Sequence, residues 1–164
     1  MAAVLITGMS GTGKSTVLVE LRRRGHTVVD TDLGGWIEPV RRADGTSEPM
    51  WREDRVSALL DEHADDLVFI AGCVANQGRF YPRFRSVVLL SVPEDVLLHR
   101  IATRDTNHFG RSPEERARIG ADLRSVEPLL RRGATAEIDT RRPLADVADE
   151  LERLAGLTPR PSAP

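Results

Sequence analysis

The chain has 164 residues, a formal net charge of −2 and 40% hydrophobic residues, which is the size and composition of one globular domain with its own core. This charge argues against a dedicated nucleic-acid binder, and no apolar run is long enough for a membrane-spanning helix. Cys73 is the only cysteine, so no internal disulfide can form and a cytoplasmic location is expected.

Short apolar runs alternate along the chain with stretches of helical periodicity. The predicted strands cover residues 3–7, 27–30, 67–71, 86–92 and 136–139. The predicted helices cover 13–24, most of 33–63 with breaks at Pro39 and over 43–49, a stretch after Pro93, 113–132 and 144–154. This order predicts an α/β fold in which helices sandwich a five-stranded parallel sheet. We expect a single domain over 1–157 and a flexible tail over 158–164.

The turn after the first strand fits the phosphate-binding sequence G-x-x-x-x-G-K-[ST] in full, and a chance match by a glycine-rich turn is the alternative. Its glycines allow backbone amides to surround a phosphate chain, and the next helix directs its positive dipole end at the same anion. Lys14 would contact the β- and γ-phosphates, and the Ser15 hydroxyl would ligate Mg²⁺. We therefore expect ATP and Mg²⁺ to bind at Gly8, Ser10, Gly11, Thr12, Gly13, Lys14, Ser15 and Thr16.

Lys14 is the only lysine among 23 basic residues, and all the others are arginines. This usage indicates that position 14 needs a compact ammonium on a flexible stem rather than a guanidinium. A guanine-reading N-K-x-D motif would need a second lysine, so the base is expected to be adenine.

Two aspartates, Asp30 and Asp32, follow the second strand, and the alternation of a strand directs both to the same side. One carboxylate could hold a Mg²⁺-bound water, and the other could accept a proton from an attacking hydroxyl. The alternative is a solvated turn in which Asp32 caps a helix. Their position beside the phosphate-binding turn favours the functional role.

The phosphate-binding turn, the D-x-D pattern after strand two and the glycine-containing loop after strand three resemble the shikimate, gluconate and adenylate kinase superfamily. The resemblance implies a five-stranded P-loop kinase fold with a helical acceptor-binding segment at about 33–64 and a lid at about 104–114. It also implies that Asp30 is the metal-side acid, beside Ser15, and that Asp32 is the substrate-side acid.

The same resemblance implies that arginines at the lid act on the nucleotide, although solvated surface arginines are the alternative. Arg104 would stack on adenine and Arg111 would contact the phosphates. The resemblance further implies that the loop carrying Arg142 and Pro143 forms a wall of the adenine pocket. The implied catalytic residues are Lys14, Asp32, Arg104 and Arg111.

The acceptor side is expected between 33 and 83. Arg52 and Arg55 lie one turn apart on a predicted helix and can face one anion together. With Asp32, the predicted acceptor-binding residues are Arg52, Arg55, Asn76, Gln77 and Arg79. They suit a polar acceptor with a carboxylate or phosphate, and surface charge is the alternative.

The loop after strand three departs from the glycine run of shikimate kinases, which argues against shikimate itself as the acceptor. Cys73, within this loop, is interpreted as a small buried packing residue.

The sequence therefore predicts a kinase that transfers the γ-phosphate of ATP·Mg²⁺ to a hydroxyl or phosphate of a nucleoside, nucleotide or shikimate-like metabolite. A P-loop ATPase that acts as a nucleotide-dependent regulatory switch is the alternative. Such a switch would need a water-positioning residue and a partner surface, and the sequence indicates neither clearly. A polynucleotide end kinase is disfavoured by the net charge.

Overall fold

A computed structural model describes residues 2–104 and 111–158 of the chain. Its strands are β1 (Ala3–Thr7), β2 (Thr27–Asp30), β3 (Ile37–Arg41), β4 (Ser47–Trp51), β5 (Val68–Ala71), β6 (Ser86–Ser91) and β7 (Ala136–Asp139). Its α-helices are α1 (Lys14–Arg23), α2 (Glu53–Glu62), α3 (Glu94–Thr103), α4 (Pro113–Gly133) and α5 (Leu144–Leu154), with a 3₁₀ helix at Gln77–Arg83.

Five of the strands form one parallel sheet in the order β2-β5-β1-β6-β7. Every residue of the central β1 is buried, because helices cover both faces of a parallel sheet. On one face α1 and α5 bury Val17, Leu21, Val147 and Leu151 against the sheet. On the other face α2 and β4 contribute Val56, Leu60 and Trp51.

The sheet and its helices confirm the predicted fold class. Each predicted strand of the sheet is present, within one residue of its predicted ends. The start predicted for α4 is also confirmed, since the Ser112 hydroxyl accepts the Glu115 N–H while the Glu115 carboxylate accepts the Ser112 N–H. Such a reciprocal cap satisfies two backbone donors that a helix start otherwise leaves without partners.

The prediction that 33–63 is mostly helical is wrong over residues 37–51. Here β3 and β4 form an antiparallel hairpin in which Pro39 lies opposite Pro49. Proline lacks the N–H that a helix interior requires, whereas a two-stranded ribbon leaves edge positions where that N–H is not needed. The turn contains Gly45 at φ 86°, a conformation that glycine adopts without strain. Only α2 remains of the predicted helical segment.

Across residues 2–104 and 111–158, no helix combines the length and the apolar character that crossing a bilayer requires. The predicted tail lies outside the described residues beyond Thr158. Of the predicted lid, residues 105–110 also lie outside them, so a lid at 104–114 stays a prediction.

Candidate functional site

The carboxyl ends of β1, β2 and β7 meet at one edge of the sheet, around a cavity of about 690 Å³. This is the edge at which open parallel sheets bind ligands. The cavity brings together ten of the predicted site residues, namely Gly8, Ser10, Gly11, Gly13, Lys14, Ser15, Thr16, Asp32, Arg104 and Arg142. We call it the phosphate cavity.

Close packing explains two of the glycines in the turn between β1 and α1. A Cβ at Gly8 would lie 2.5 Å from the carbonyl oxygen of Leu90 in β6, and one at Gly11 would lie 2.9 Å from Ile101 in α3. Both glycines also have positive φ angles, which other residues rarely adopt. The turn is therefore held tightly against the sheet, and its backbone curves around the space that a phosphate chain would fill.

Thr12, which was predicted to contact the nucleotide, is fully buried and holds the turn in shape. Its hydroxyl donates to the Met9 carbonyl at 2.7 Å. Its own carbonyl accepts hydrogen bonds from the Thr140 hydroxyl at 2.6 Å and from Arg100 at 3.5 Å.

The Lys14 ammonium lies inside the turn and donates to the carbonyl oxygens of Gly8 at 2.6 Å and Met9 at 3.0 Å. Burial lowers the pKa of Lys14, while the nearby Cys73, Asp32 and Asp30 act in the opposite direction. A partly desolvated cation of this kind gains the most from an anion. The turn and its lysine therefore fit a nucleotide phosphate.

The Ser15 hydroxyl lies 3.2 Å from Asp30 Oδ2 and donates to it, so the two predicted metal ligands are adjacent. Oxygen ligands of this type suit Mg²⁺, which binds through few protein groups and completes its shell with phosphates and water. In the described part of the chain, no group of three or more acidic, histidine or cysteine side chains could hold a metal. The Ser15–Asp30 pair therefore fits a Mg²⁺ that takes its remaining ligands from phosphates and water.

Asp32 lies on the rim of the phosphate cavity, and its backbone N–H donates to Asp30 Oδ1 at 3.0 Å. Burial raises the pKa of the Asp32 carboxyl, the negative Asp30 raises it further, and Lys14 lowers it. A carboxylate with a raised pKa accepts a proton more readily than a solvated one. This electrostatic setting suits the predicted role as a base.

Arg100 joins the phosphate-binding turn to the loop after β7. Its guanidinium donates to the hydroxyl of Thr140 at 2.9 Å and to the carbonyl of Thr140 at 2.8 Å. Neither residue is among the predicted site residues, although Thr140 directly follows β7, in the loop that is expected to form a wall of the adenine pocket.

The two arginines of the predicted lid also lie near each other. Arg104 donates to the Ser10 hydroxyl at 3.2 Å, and Arg111 donates to the Arg104 carbonyl at 2.8 Å. Arg104 lines the phosphate cavity. Contact of either guanidinium with the nucleotide stays a prediction.

The loop after β7 and helix α5 line the phosphate cavity with Thr140, Arg142, Leu144 and Val147. Pro143 is the N-cap residue of α5 and lies between two of these lining residues. Apolar surface beside a guanidinium suits the flat face of a purine. The apolar pair on α5 was missing from the predicted site.

The predicted acceptor-binding residues have protein partners. Arg55 lies 4.5 Å from the centre of the Trp36 ring and donates to the carbonyls of Gly34 and Gly35. Arg79 pairs with Glu53 at 2.6 Å, and a nitrogen of Arg52 lies 4.0 Å from a Glu38 oxygen. An acceptor role for these arginines stays a prediction.

Asn76 and Gln77 are buried and hold backbone together. The Asn76 amide accepts from the N–H of Trp51 at 2.8 Å and donates to its carbonyl at 3.0 Å. The Gln77 amide accepts from the N–H of Val74 and donates to the hydroxyls of Thr7 and Tyr81. Both amides therefore stabilise the loop after β5 through hydrogen bonds.

The interpretation of Cys73 as a small buried packing residue is wrong. It is only partly buried and is a free thiol, and it lines the phosphate cavity. Its position two residues after β5, at the carboxyl end of the sheet, was the signal for this placement.

Comparisons with known proteins agree with the fold. The model of the AAA domain family AAA_18 matches residues 4–119. No curated protein sequence matches the chain.

Solved structures resemble the chain over nearly its full length. A shikimate kinase from Acinetobacter baumannii in complex with shikimate is 22% identical, with a TM-score of 0.61 over 94% of this chain and 92% of that one. A shikimate kinase from Bacteroides thetaiotaomicron is 18% identical, with a TM-score of 0.65 over 95% and 99%. A gluconokinase from Sinorhizobium meliloti is 19% identical, with a TM-score of 0.61 over 94% and 91%.

These likenesses confirm the predicted resemblance to small P-loop kinases at the level of fold. The chain therefore belongs to the AAA domain family AAA_18, and its fold is that of the shikimate and gluconate kinases.

Proposed function

We propose that this protein is an ATP-dependent phosphotransferase, which moves the γ-phosphate of ATP·Mg²⁺ to a hydroxyl or phosphate of a small molecule. The observation that carries the proposal is the meeting of three groups at one cavity. These are the partly buried ammonium of Lys14, the Ser15–Asp30 oxygen pair and the raised-pKa carboxyl of Asp32.

Each group has a separate role in the proposed transfer. Lys14 and the backbone amides of the phosphate-binding turn hold the phosphates and stabilise the charge that develops during transfer. Ser15 and Asp30 would hold Mg²⁺, which supplies further neutralisation of phosphate charge when bound. Arg104 and Arg111 add positive charge from the lid side, and the end formed by Arg142, Pro143 and Leu144 receives adenine.

Asp32 acts on the acceptor. Its carboxylate orients the acceptor hydroxyl by accepting a hydrogen bond from it, and it takes the proton as the oxygen forms its bond to phosphorus. The raised pKa of Asp32 favours this uptake.

The proposal is tested by ADP release from ATP·Mg²⁺, measured alone and then with a panel of hydroxylated metabolites. Stimulation by an acceptor supports the transferase. Lys14→Ala should reduce the stimulated rate by at least about 100-fold without loss of the native circular dichroism spectrum. The control Arg22→Ala removes an exposed cation from the same helix and should retain the rate.

The competing hypothesis predicts a different result from the same assay. A regulatory ATPase would release ADP steadily without any acceptor, and no panel member would raise the rate. Full activity in Lys14→Ala would contradict both hypotheses.

A further inference from the structure

A second cavity, of about 400 Å³, lies beside the phosphate cavity. Residues of β4, of the segment after β5 and of α4 form its walls. Cys73 and Val126 line both cavities, so the two cavities adjoin. Its volume is within the range of small-molecule sites.

The wall of the second cavity is mostly apolar. Its apolar members are Pro49, Val74, Ala75, Val126, Leu129 and Leu130. Among the residues that the structure describes, no lysine, arginine or histidine lines it. An acceptor with a carboxylate or phosphate buried there would lose hydration without gaining a cation, which is strongly unfavourable.

The polar groups of this wall are few. The amide of Gln77 is engaged by Val74, Thr7 and Tyr81. Because the Tyr81 hydroxyl accepts one of these hydrogen bonds, its own hydrogen can be donated to a ligand. The Glu48 carboxylate is ion-paired with Arg42. The wall therefore offers a neutral donor and no positive charge to a ligand.

We propose, on the basis of the phosphotransferase function above, that the second cavity binds the acceptor and that the acceptor is an uncharged alcohol with an apolar ring or chain. The apolar body packs against Val74, Leu129 and Leu130, and the reacting hydroxyl lies on the Cys73 side, towards Asp32. The hydroxyl oxygen forms a bond to the γ-phosphorus while the bond from that phosphorus to the β,γ-bridging oxygen breaks. ADP leaves with that electron pair, and the hydroxyl proton passes to the Asp32 carboxylate.

The chemistry of the cavity is tested with two dyes that share a skeleton and differ in charge. N-phenyl-1-naphthylamine is uncharged, and 1-anilinonaphthalene-8-sulfonate carries a sulfonate. Both fluoresce in apolar sites. The uncharged dye should bind the wild-type protein at least about tenfold more tightly than the sulfonate, and an equal or reversed preference would overturn the proposal.

Adding a positive charge to the wall of the second cavity tests whether the dye binds there. Leu129 lines the cavity and is 58% exposed, so Leu129→Arg is expected to fold. It should weaken the binding of the uncharged dye about fivefold and strengthen the binding of the sulfonate dye. Val19→Arg adds the same charge at a site 66% exposed on α1, away from both cavities, and should change neither affinity. If both variants respond alike, the dye binds elsewhere and the proposal fails.

The acceptor role is tested by ADP release with matched pairs of compounds, methyl shikimate against shikimate and phenyl glucoside against phenyl glucuronide. The uncharged member should give the higher kcat/KM, and should competitively displace N-phenyl-1-naphthylamine. Faster transfer to the acids, or no displacement of the dye, would overturn the inference. Calorimetry with ATP·Mg²⁺ on the same protein separates the two proposals. If ATP·Mg²⁺ binds but the dye and acceptor assays give the contrary results, the acceptor inference alone is overturned.

Discussion

Protein atoms replace much of the water around the Lys14 ammonium. This desolvation of a positive charge lowers the free energy of unfolding. In the folded protein, burial holds its pKa below the ordinary value of 10.5. Between the folded and unfolded pKa values the unfolded chain binds more protons, so this residue makes stability rise with pH in that alkaline range. Below the folded pKa the full cost of the buried charge is present.

Lys14→Met should therefore stabilise the nucleotide-free protein at pH 7, by about 1 kcal/mol, although it removes the proposed contact with phosphate. Urea denaturation measures the change, and the advantage should shrink as the pH is raised towards 10.5. Arg22→Met is the control and should shift the midpoint little. A variant less stable than the wild type at pH 7 would show that the Lys14 hydrogen bonds outweigh its desolvation.

The pKa of Asp32 depends on Asp30, which lies at the end of β2. Part of its raised pKa comes from the negative Asp30, after the larger effect of burial. Asp30→Asn should lower the pKa of Asp32 towards its ordinary value of 3.8, so Asp32 would lose its proton at a lower pH. Carboxyl ¹³C NMR titration reads this directly, and Asp54→Asn, an exposed acid in the first turn of α2, is the control. An unmoved Asp32 titration would mean that burial alone raises its pKa.

At the scale of elements, Trp51 packs the hairpin against the sheet. Trp51 is 1% exposed, and its indole N–H donates to the Thr31 hydroxyl at 3.0 Å. Gly72 makes room for this contact, since a Cβ there would lie 2.4 Å from the Thr31 hydroxyl and 2.9 Å from the Trp51 ring. Because the hairpin supplies one wall of the second cavity, this contact also positions the proposed acceptor site.

Gly72→Ala should lower the free energy of unfolding by about 2 kcal/mol, because overpacking must displace the tryptophan or the strand end. Gly78→Ala, where an added Cβ meets nothing within 4 Å, should change stability by less than about 0.5 kcal/mol. Both are measured by chemical denaturation with Trp fluorescence. Equal effects of the two substitutions would contradict the packing argument.

At the scale of the whole molecule, a buried cluster of charges joins α1 to α5. The Arg24 side chain, 8% exposed, pairs with Glu20, Asp149 and Glu152. Glu152, 5% exposed, also lies 2.6 Å from His26 Nε2. The cluster connects the helix that follows the phosphate-binding turn with the helix that begins beside the predicted adenine end.

Glu152→Gln should destabilise the protein by about 3 kcal/mol, because it leaves a buried guanidinium with one negative partner fewer. Glu150→Gln removes a carboxylate that pairs with Arg153 one turn along α5, and should cost less than about 0.5 kcal/mol. Thermal unfolding distinguishes the two. A Glu152→Gln variant as stable as Glu150→Gln would show that the cluster contributes little to stability.

Local rules explain what could be predicted from the sequence. The strands of the sheet follow from short apolar runs, and the capping box at Ser112 follows from contacts within four residues. The phosphate-binding turn is equally local, since its glycines, Lys14 and Ser15 lie within eight consecutive positions. Helical periodicity was less decisive at 33–63, where prolines and a glycine turn give a hairpin.

The sequence by itself determined the alternation of strands and helices and the phosphate-binding turn, because near neighbours along the chain decide both. Only the tertiary structure decided which arginines have carboxylate partners, that Asn76 and Gln77 support backbone, and that two cavities meet at Cys73. Those outcomes include contacts between segments far apart in the chain, such as Arg24 with Glu152 and Asn76 with Trp51. Composition and spacing do not specify such pairings, because burial and charge are set by whichever segment the fold brings alongside.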